Sequence, residues 1–165
     1  MLVYFAGPDV FFPTYQTTME TIRALTKPHG IVPIFPGESV LTDGQAIADS
    51  CMRQIDRSDG VIANLNPFHG QEPDSGTVFE CGYAIAKGKW VIGYLSDLRD
   101  ALTKLREWDQ GPGPNSVRCQ DGSDVENFNE PLNIMLAKTV KGLYASVEEA
   151  IKASAAFIPS ISSNL

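Results

Sequence analysis

The stretch GVIANL at residues 60–65 decides the architecture of this chain, because it is almost uniformly apolar. A strand of this composition is typical of the buried part of a parallel sheet, which has helices on both faces. Similar short apolar runs stand at residues 2–6 (LVYFA) and 90–95 (WVIGYL), and amphipathic segments separate the three. Strands that alternate with helices in this way predict an α/β protein with a parallel sheet.

The remaining elements follow from turn residues and from apolar residues at helical spacing. Helices are predicted at about residues 14–27, 45–57, 75–87 and 147–155, with a further helical segment beginning near Pro131. The run IVPIF at residues 31–35 predicts a strand whose proline favours an edge position, and a short strand is predicted at residues 143–144. Residues 97–130 show no regular pattern, because the GPGP at residues 111–114 breaks any helix there.

The most economical architecture for these elements is a three-layer, flavodoxin-like open parallel sheet with helices on both faces. Such a fold binds ligands at the carboxyl ends of its strands. We expect one domain over residues 1–156 and a C-terminal tail over residues 157–165, which is rich in serine.

Composition excludes several classes of function. The chain has 165 residues with 43% hydrophobic and 20% charged residues, which is typical of a globular domain. Its net charge of −7 repels phosphate backbones, so nucleic acid is not an expected partner. No apolar run approaches the ~20 residues that cross a bilayer, so we expect no membrane span. The apolar N-terminus is interrupted by Asp9 and lacks a basic leader, so we expect no signal peptide. Three cysteines without C-x-x-C spacing fit a reducing cytoplasm and argue against disulfides and zinc.

Two carboxylates are the strongest candidates for chemistry. Asp74 ends the long loop after the third predicted strand, and Glu80 lies within the first two turns of the following helix. The partial positive charge at that helix start predicts an ionised Glu80 with a lowered pKa, and an ionised carboxylate beside a crevice can attack a sugar anomeric carbon. The alternative is that Asp74 only caps the helix and that Glu80 is a solvated charge.

The other candidates carry less information. Tyr4, Phe11 and Phe12 could wall a pocket for a flat ring, or they could belong to the core. Cys81 is expected to be a buried helix cysteine rather than a nucleophile, and the two histidines have no partner at metal-ligand spacing. The first loop has neither G-x-G-x-x-G nor G-x-x-x-x-G-K, so it does not predict a phosphate cradle.

Four segments, taken in order, resemble the nucleoside 2-deoxyribosyltransferases. They are YFAGP at residues 4–8 with Phe11 following, DGVIANL at 59–65, DSGTVFECGYA at 74–84 and NFNEPLNIML at 127–136. The D-x-G-T-x-x-E-x-G-x-A pattern in the third segment is fairly specific, and P-x-N-x-M in the fourth adds to it. The resemblance extends from about residue 2 to residue 155.

The resemblance implies a chemistry and a role for each matching residue. Members of this family transfer a 2-deoxyribosyl group from one nucleobase to another with retention at the anomeric carbon. Glu80 resembles the nucleophile that forms a covalent deoxyribosyl ester, and Tyr4 resembles the tyrosine that orients it. Asp74 resembles the carboxylate that holds the 5′-hydroxyl. The substrates would be 2′-deoxynucleosides and free nucleobases.

The resemblance also implies further contacts and an assembly. Phe11 would sandwich the base, and three more positions in the matching motifs are expected to bind substrate: Gly7, Ser75 and Gly76. Asn133 and Met135 would complete the site of a neighbouring subunit, since members are homo-oligomers, usually hexamers built from dimers. No metal or organic cofactor is implied.

The chain departs from the family pattern on the second predicted helix. Cys51 stands where a polar, base-facing Asp or Asn is expected, and Asp43 and Asp49 are possible substitutes. The preference for purine or pyrimidine bases therefore stays open. A hydrolase of deoxynucleosides or of their 5′-monophosphates is the alternative activity, although DVFF at residues 9–12 offers no phosphate donors. A non-enzymatic nucleotide-binding module is the third alternative.

Overall fold

The chain forms a five-stranded sheet in which every pairing is parallel, with the strand order β2-β1-β3-β4-β5. A computed structural model describes residues 1–37, 41–109 and 117–157. The strands are β1 Leu2–Ala6, β2 Val32–Ile34, β3 Gly60–Asn64, β4 Trp90–Tyr94 and β5 Leu143–Tyr144. This is the flavodoxin-like strand order, and β2 is at the edge, so both predictions are confirmed.

Six α-helices connect and cover the strands in the described part of the chain. They are α1 Tyr15–Thr26, α2 Gly44–Arg57, α3 Ser75–Ala86, α4 Ala101–Trp108, α5 Ile134–Thr139 and α6 Val147–Ser154. Among the described residues, no helix is both long and apolar enough to cross a membrane.

The two faces of the sheet bury separate clusters of apolar side chains. Because successive side chains of a strand point to opposite faces, β1 sends Tyr4 and Ala6 into the cluster with α2, α3 and α5, and sends Val3 and Phe5 into the cluster with α1 and α6. This alternation determines the position of the functional site, since it turns Tyr4 towards the helix that carries Glu80.

Helix α4 was not predicted, and the structure corrects the interpretation of residues 97–130 as irregular. Asp100 caps the helix by accepting hydrogen bonds from the Thr103 backbone N–H at 2.9 Å and from its hydroxyl at 2.6 Å. An Asp-x-x-Thr cap before Leu102, which is buried, was the signal available in the sequence. The GPGP segment follows the end of α4 and lies outside the described residues.

The apolar spacing within α3 predicts an inner face with Phe79, Tyr83 and Ala86, and the structure corrects this for Phe79 and Ala86, which are exposed. The buried residues of α3 are Thr77, Cys81 and Ala84, which are small enough to let the helix lie close to the sheet. Phe79 is 62% exposed, and its ring stacks on that of Tyr83, which packs partly buried against the core, with centroids 6.4 Å apart. The prediction of Cys81 as a buried helix cysteine is confirmed.

A short 3₁₀ turn, Ala155–Phe157, follows α6. Phe157, the first residue of the predicted tail, stacks on the Trp90 ring with centroids 5.1 Å apart. Residues 158–165 of that tail lie outside the described residues, and the domain boundaries stay a prediction.

Candidate active site

A cavity of about 540 Å³ opens at the carboxyl ends of β1 and β2, between α2 and α3. Ligands of open parallel sheets bind at this edge. The residues that line it come from the loop after β1, the loop after β2 and the facing sides of the two helices: Gly7, Val10, Phe11, Pro36, Gly37, Leu41, Ile47, Ser50, Cys51, Asp74, Gly76, Thr77 and Glu80.

Tyr4 and Glu80 form a hydrogen-bonded pair at this cavity. Tyr4 is fully buried on β1, and its hydroxyl donates to Glu80 Oε1 at 2.6 Å. Glu80 lies in the second turn of α3, and its carboxylate is partly buried against the cavity. The fold therefore fixes one carboxylate oxygen with a neutral donor and leaves the group facing a space that admits a ligand.

Burial controls the charge state of Glu80. Loss of hydration raises the pKa of this carboxyl to about 7, while the hydrogen bond from Tyr4 lowers it, the charge of Asp74 raises it, and the neighbouring Cys51 thiol lowers it. The predicted lowering of this pKa is thus wrong. The helix dipole acts mainly in the first turn, whereas Glu80 is in the second turn and is desolvated. Near pH 7, a substantial fraction of Glu80 is ionised and another fraction keeps its proton.

Asp74 both caps α3 and faces the cavity. Its Oδ2 accepts from the Thr77 backbone N–H at 2.8 Å and from the Thr77 hydroxyl at 3.0 Å. No donor within the described residues contacts Oδ1, so this oxygen is available to a hydroxyl-bearing ligand. Gly76 lines the cavity beside it, and a Cβ there would lie 3.1 Å from Asp74 Oδ2. Ser75 is exposed and is not among the lining residues.

Gly7 brings the backbone of β1 close to the end of β3. A Cβ at this position would lie 2.4 Å from Asp9 Oδ2 and 2.8 Å from the Asn64 Cβ, so only glycine fits without rearrangement. Asn64 in turn donates from Nδ2 to Asp9 Oδ2 at 3.0 Å. This close approach shapes the floor of the cavity where the loop after β1 begins.

Aromatic side chains stand at the cavity on the side of the same loop. Phe11 lines the cavity and is 67% exposed, and its contact with a flat ligand stays a prediction. Phe12, the other candidate in this loop, is not among the lining residues.

Helix α2 supplies the opposite wall through Ile47, Ser50 and Cys51, which lie on one side of the helix at spacings of three and four residues. Burial raises the pKa of the Cys51 thiol, and the Glu80 charge adds to this effect, so the thiol is neutral at pH 7. Ser50 was not predicted, although its position three residues after Ile47 was a signal in the sequence.

The two acidic substitutes proposed for Cys51 are engaged elsewhere. Asp43 caps α2 by accepting from the Ala46 backbone N–H at 2.8 Å, and Asp49 accepts from the Gln45 side-chain amide at 2.8 Å. Neither lines the cavity, so the structure does not support their assignment to the base. Their carboxylates satisfy local helix contacts instead.

Asn133 and Met135 lie apart from Glu80. They line a groove of about 330 Å³ between α3 and α5, where Met135 is 72% exposed. The Asn133 side chain caps α5 by accepting from the Met135 backbone N–H at 3.0 Å, and its amide donates to Glu126 Oε1 at 2.8 Å. Within one chain, these two residues are therefore not part of the site that holds Glu80.

The cavity has no features of a metal centre in the part of the chain that the structure describes. No group of three or more His, Cys, Asp or Glu side chains there is placed to hold a metal ion. The expectation that no metal or organic cofactor is required stays a prediction.

Comparisons with known proteins identify the family to which the chain belongs. The family model for nucleoside 2-deoxyribosyltransferases matches residues 3–135. A 2-desoxiribosyltransferase from Leishmania mexicana has a similar structure, with a TM-score of 0.82 and 34% identity over 94% of this chain and 97% of that chain. A CMP N-glycosidase from Clostridium botulinum shares the fold alone, with a TM-score of 0.53 and 14% identity over 93% of this chain and 97% of that one.

A curated relative, an uncharacterized protein of Schizosaccharomyces pombe, is 31% identical over 116 residues. The match covers 64% of this chain and 55% of that protein, so the chain spans little more than half the length of this relative. The family match covers most of the present chain and includes Tyr4, Asp74 and Glu80. The chain belongs to the nucleoside 2-deoxyribosyltransferase family.

Proposed function

We propose that this protein transfers a 2-deoxyribosyl group between nucleobases by a retaining double displacement at Glu80. The observation that carries the proposal is the hydrogen bond of 2.6 Å from the buried Tyr4 hydroxyl to Glu80 Oε1, in a cavity that Asp74 also lines. The family match and the structural similarity to the Leishmania enzyme support the same activity.

In the first step, a Glu80 oxygen bonds to C1′ of a 2′-deoxynucleoside while the glycosidic bond breaks and its electron pair leaves with the base. The base takes up a proton as it leaves. The transition state has oxocarbenium character, and the facing carboxylate stabilises its positive charge. The product of this step is a free base and a deoxyribosyl ester of Glu80.

In the second step, a nitrogen of the incoming base attacks C1′ from the face opposite the ester and loses its proton. The bond to Glu80 breaks, which regenerates the carboxylate. Two inversions at C1′ give overall retention. The bond from Glu80 to C1′ is the only covalent bond that forms between the protein and the substrate. The proposed reaction uses no metal or organic cofactor.

The other residues of the cavity would position the two substrates. Asp74 lines the cavity, and its Oδ1 can accept a hydrogen bond from the sugar 5′-hydroxyl, since Oδ2 is used by Thr77. Phe11 presents an exposed ring for a nucleobase to stack on. The apolar wall with Ile47 and Cys51 offers a neutral surface to the base.

We further propose that the active form is a homo-oligomer built from dimers, in which Asn133 and Met135 complete a neighbour's site. The exposure of Met135 and the apolar groove beside it support this assignment. Exposed apolar surface of this kind is typical of an interface between subunits. A location in the cytoplasm and a part in deoxyribonucleoside metabolism stay predictions.

Hydrolysis is the second candidate function, because it differs only in whether water or a base accepts the sugar. The version that acts on 5′-monophosphates is disfavoured, since the lining residues that the structure describes contribute two carboxylates, Asp74 and Glu80, and no lysine or arginine. These charges would repel a phosphate.

One incubation separates transfer from hydrolysis. The protein is supplied with 2′-deoxyinosine, with and without cytosine, and the products are separated by chromatography. Formation of deoxycytidine when cytosine is present supports transfer. Release of hypoxanthine at the same rate without an acceptor, and no deoxycytidine with one, would replace the proposal by hydrolysis.

A further inference from the structure

We infer that Phe68, in the loop after β3, is a positioning residue that holds the Phe11 ring in place for the nucleobase. Phe68 is not among the residues that line the cavity, so it would act through Phe11. The inference rests on the proposed function only in taking a nucleoside as the ligand of the cavity.

The Phe11 ring is part of an aromatic cluster centred on Phe68. Its ring lies against Phe68 with centroids 5.5 Å apart and an interplanar angle of 20°. Phe68 in turn lies against His69, with centroids 3.9 Å apart and an angle of 18°, and Phe12 contacts Phe68 edge-on at 6.0 Å. Phe68 thus touches three rings, of which only Phe11 lines the cavity.

The stack compensates for the exposed position of Phe11. An aromatic side chain that is 67% exposed has few other contacts to fix its rotamer. A ligand that stacks on a mobile ring must pay for ordering it, whereas a ring that is already fixed binds more tightly. Aromatic pairs prefer offset-stacked or edge-to-face arrangements, and Phe68 makes one of each.

The loop that carries Phe68 is itself fastened to the sheet. The Phe68 backbone N–H donates to the Glu72 carbonyl at 3.0 Å, and Pro67 and Pro73 form an antiparallel bridge across the base of the loop. Asn66 anchors the loop to the end of β4, because its Oδ1 accepts from the Ser96 backbone N–H at 2.9 Å. The ring of Phe68 is therefore presented from a closed loop rather than from a free one.

His69, at the tip of this loop, has a φ of 54°, which is in the left-handed region that non-glycine residues seldom adopt. Such conformations persist where the surrounding contacts hold them, and they cluster at functional sites. The His69 imidazole stacks on the Phe68 ring. The strained tip and the stack are consistent with a loop built to support Phe11.

A double-mutant cycle tests the inference through nucleoside affinity. The background is Glu80→Gln, which keeps the shape of the site and prevents turnover, and the ligand is 2′-deoxyinosine, titrated by calorimetry. Phe11→Ala and Phe68→Ala are each expected to weaken binding about tenfold, since stacking on one aromatic ring contributes a factor of this order. Adding Phe68→Ala to the Phe11→Ala protein should change the affinity for 2′-deoxyinosine less than about twofold, because the ring that Phe68 holds is already absent.

Two further variants separate positioning from stability. Phe68→Tyr keeps the ring and should bind within about twofold of the background protein, while Phe68→Leu keeps the approximate volume and should lose affinity as Phe68→Ala does. Thermal unfolding verifies that each variant is folded, and Phe68→Leu replaces Phe68→Ala in the cycle if the latter does not fold. The inference would be overturned if Phe11→Ala and Phe68→Ala lowered the affinity for 2′-deoxyinosine additively. It would also be overturned if Phe68→Tyr lowered this affinity as much as Phe68→Ala.

The experiment also separates this inference from the proposed transfer. If the affinity losses of Phe11→Ala and Phe68→Ala are additive, and the wild type forms deoxycytidine from 2′-deoxyinosine and cytosine, the role of Phe68 is overturned and the proposed transfer stands. If these affinity losses are not additive and the wild type has no transfer activity, the role of Phe68 stands and the proposed reaction is overturned. Absence of measurable 2′-deoxyinosine binding in the background protein overturns the inference.

Discussion

Helix α3 serves two regions that differ in how much of their chemistry one chain contains. On one side, Glu80 lies in the cavity with its hydrogen bond from buried Tyr4 already formed. On the other side, Val78 lies in the groove shared with α5, where Met135 is 72% exposed. The proposed nucleophile and its hydrogen-bond donor are therefore assembled by the folding of one chain, whereas Met135 on α5 is left largely uncovered by the residues that the structure describes.

The largest effect is expected from removal of the Glu80 carboxylate, which tests its role as the nucleophile in the cavity. Glu80→Ala and Glu80→Gln should each lower kcat at least about 10³-fold, because no other group on α3 can form the ester with C1′. Transfer from 2′-deoxyinosine to cytosine measures the effect. Glu20→Gln is the matched control, since Glu20 is an exposed carboxylate of α1 on the opposite face of the sheet.

Circular dichroism should show that all three variants are folded. Activity close to normal in folded Glu80→Ala would end the assignment of Glu80 as nucleophile. Equal losses in Glu80→Gln and Glu20→Gln would point to a general effect of charge rather than to chemistry at the cavity.

The support of the carboxylate is tested by Tyr4→Phe, which removes the hydroxyl and keeps the ring. A hydrogen bond to a charged group contributes roughly 1.5–3 kcal/mol, so kcat/KM near pH 7 should fall about 10- to 100-fold. The pH profile gives a second readout. Since the pKa of Glu80 is about 7 and the hydrogen bond from Tyr4 lowers it, kcat/KM of the wild type should rise with pH through about 7.

In Tyr4→Phe, this rise should move to higher pH, because the contact that favours the ionised carboxylate is lost. Part of the lost activity should therefore return in alkaline buffer. A Tyr4→Phe profile with an unchanged midpoint would mean that Tyr4 does not set the charge state of Glu80.

The exposed side of the comparison is tested by mixing two inactive variants. Asn133→Ser keeps a residue that can cap α5 but removes the amide, so it should lose activity without the loss of stability expected for Asn133→Ala. Co-expression with Glu80→Ala should restore about a quarter of the wild-type activity if sites are shared within pairs, because half of the random pairs are mixed and each has one intact site of two.

The control for this experiment is the same pair of variants purified separately and assayed without subunit exchange, which should stay inactive. Failure of the co-expressed mixture to regain activity, although both variants are present in one oligomer, would end the assignment of Asn133 to a neighbour's site. A fully active monomer would contradict the shared site altogether.

The two regions were also unequally predictable from the sequence. The strand order and the pairing of Asp74 with Glu80 followed from the alternation of strands and helices, because parallel sheets bring their carboxyl ends to one edge. The charge state of Glu80 did not follow, since burial outweighs the helix dipole and burial depends on tertiary packing. The aromatic stack of Phe68 was missed for a similar reason, because its partner Phe11 is distant in sequence, whereas Ser50 was missed although its spacing from Ile47 was a local signal.

Helix α4 shows the opposite kind of error, because its signal was local and was overlooked. Asp100 and Thr103 form a cap that spacing alone could have identified. Neither of the acidic substitutes for Cys51 lines the cavity: Asp43 is the N-cap of α2, and Asp49 accepts a hydrogen bond from the Gln45 side chain one turn earlier in the same helix.

The smallest expected effect concerns stability and isolates the cost of burying Glu80. The pKa of this carboxyl rises from its ordinary value of 4.5 to about 7 in the folded protein. Below pH 4.5, both states are protonated; as pH rises towards 7, the unfolded state ionises first, so the folded state loses stability until its own carboxyl has ionised. Glu80→Gln has no such loss, so it should be more stable than the wild type by roughly 1–3 kcal/mol at pH 8 and by much less at pH 5.

Urea unfolding at the two pH values measures the difference, with Glu20→Gln as the control that should show little dependence on pH. A Glu80→Gln protein that gains no stability between pH 5 and pH 8 would mean that the carboxylate is hydrated in the free protein, and the cavity would then lack the buried nucleophile that distinguishes it from the exposed groove.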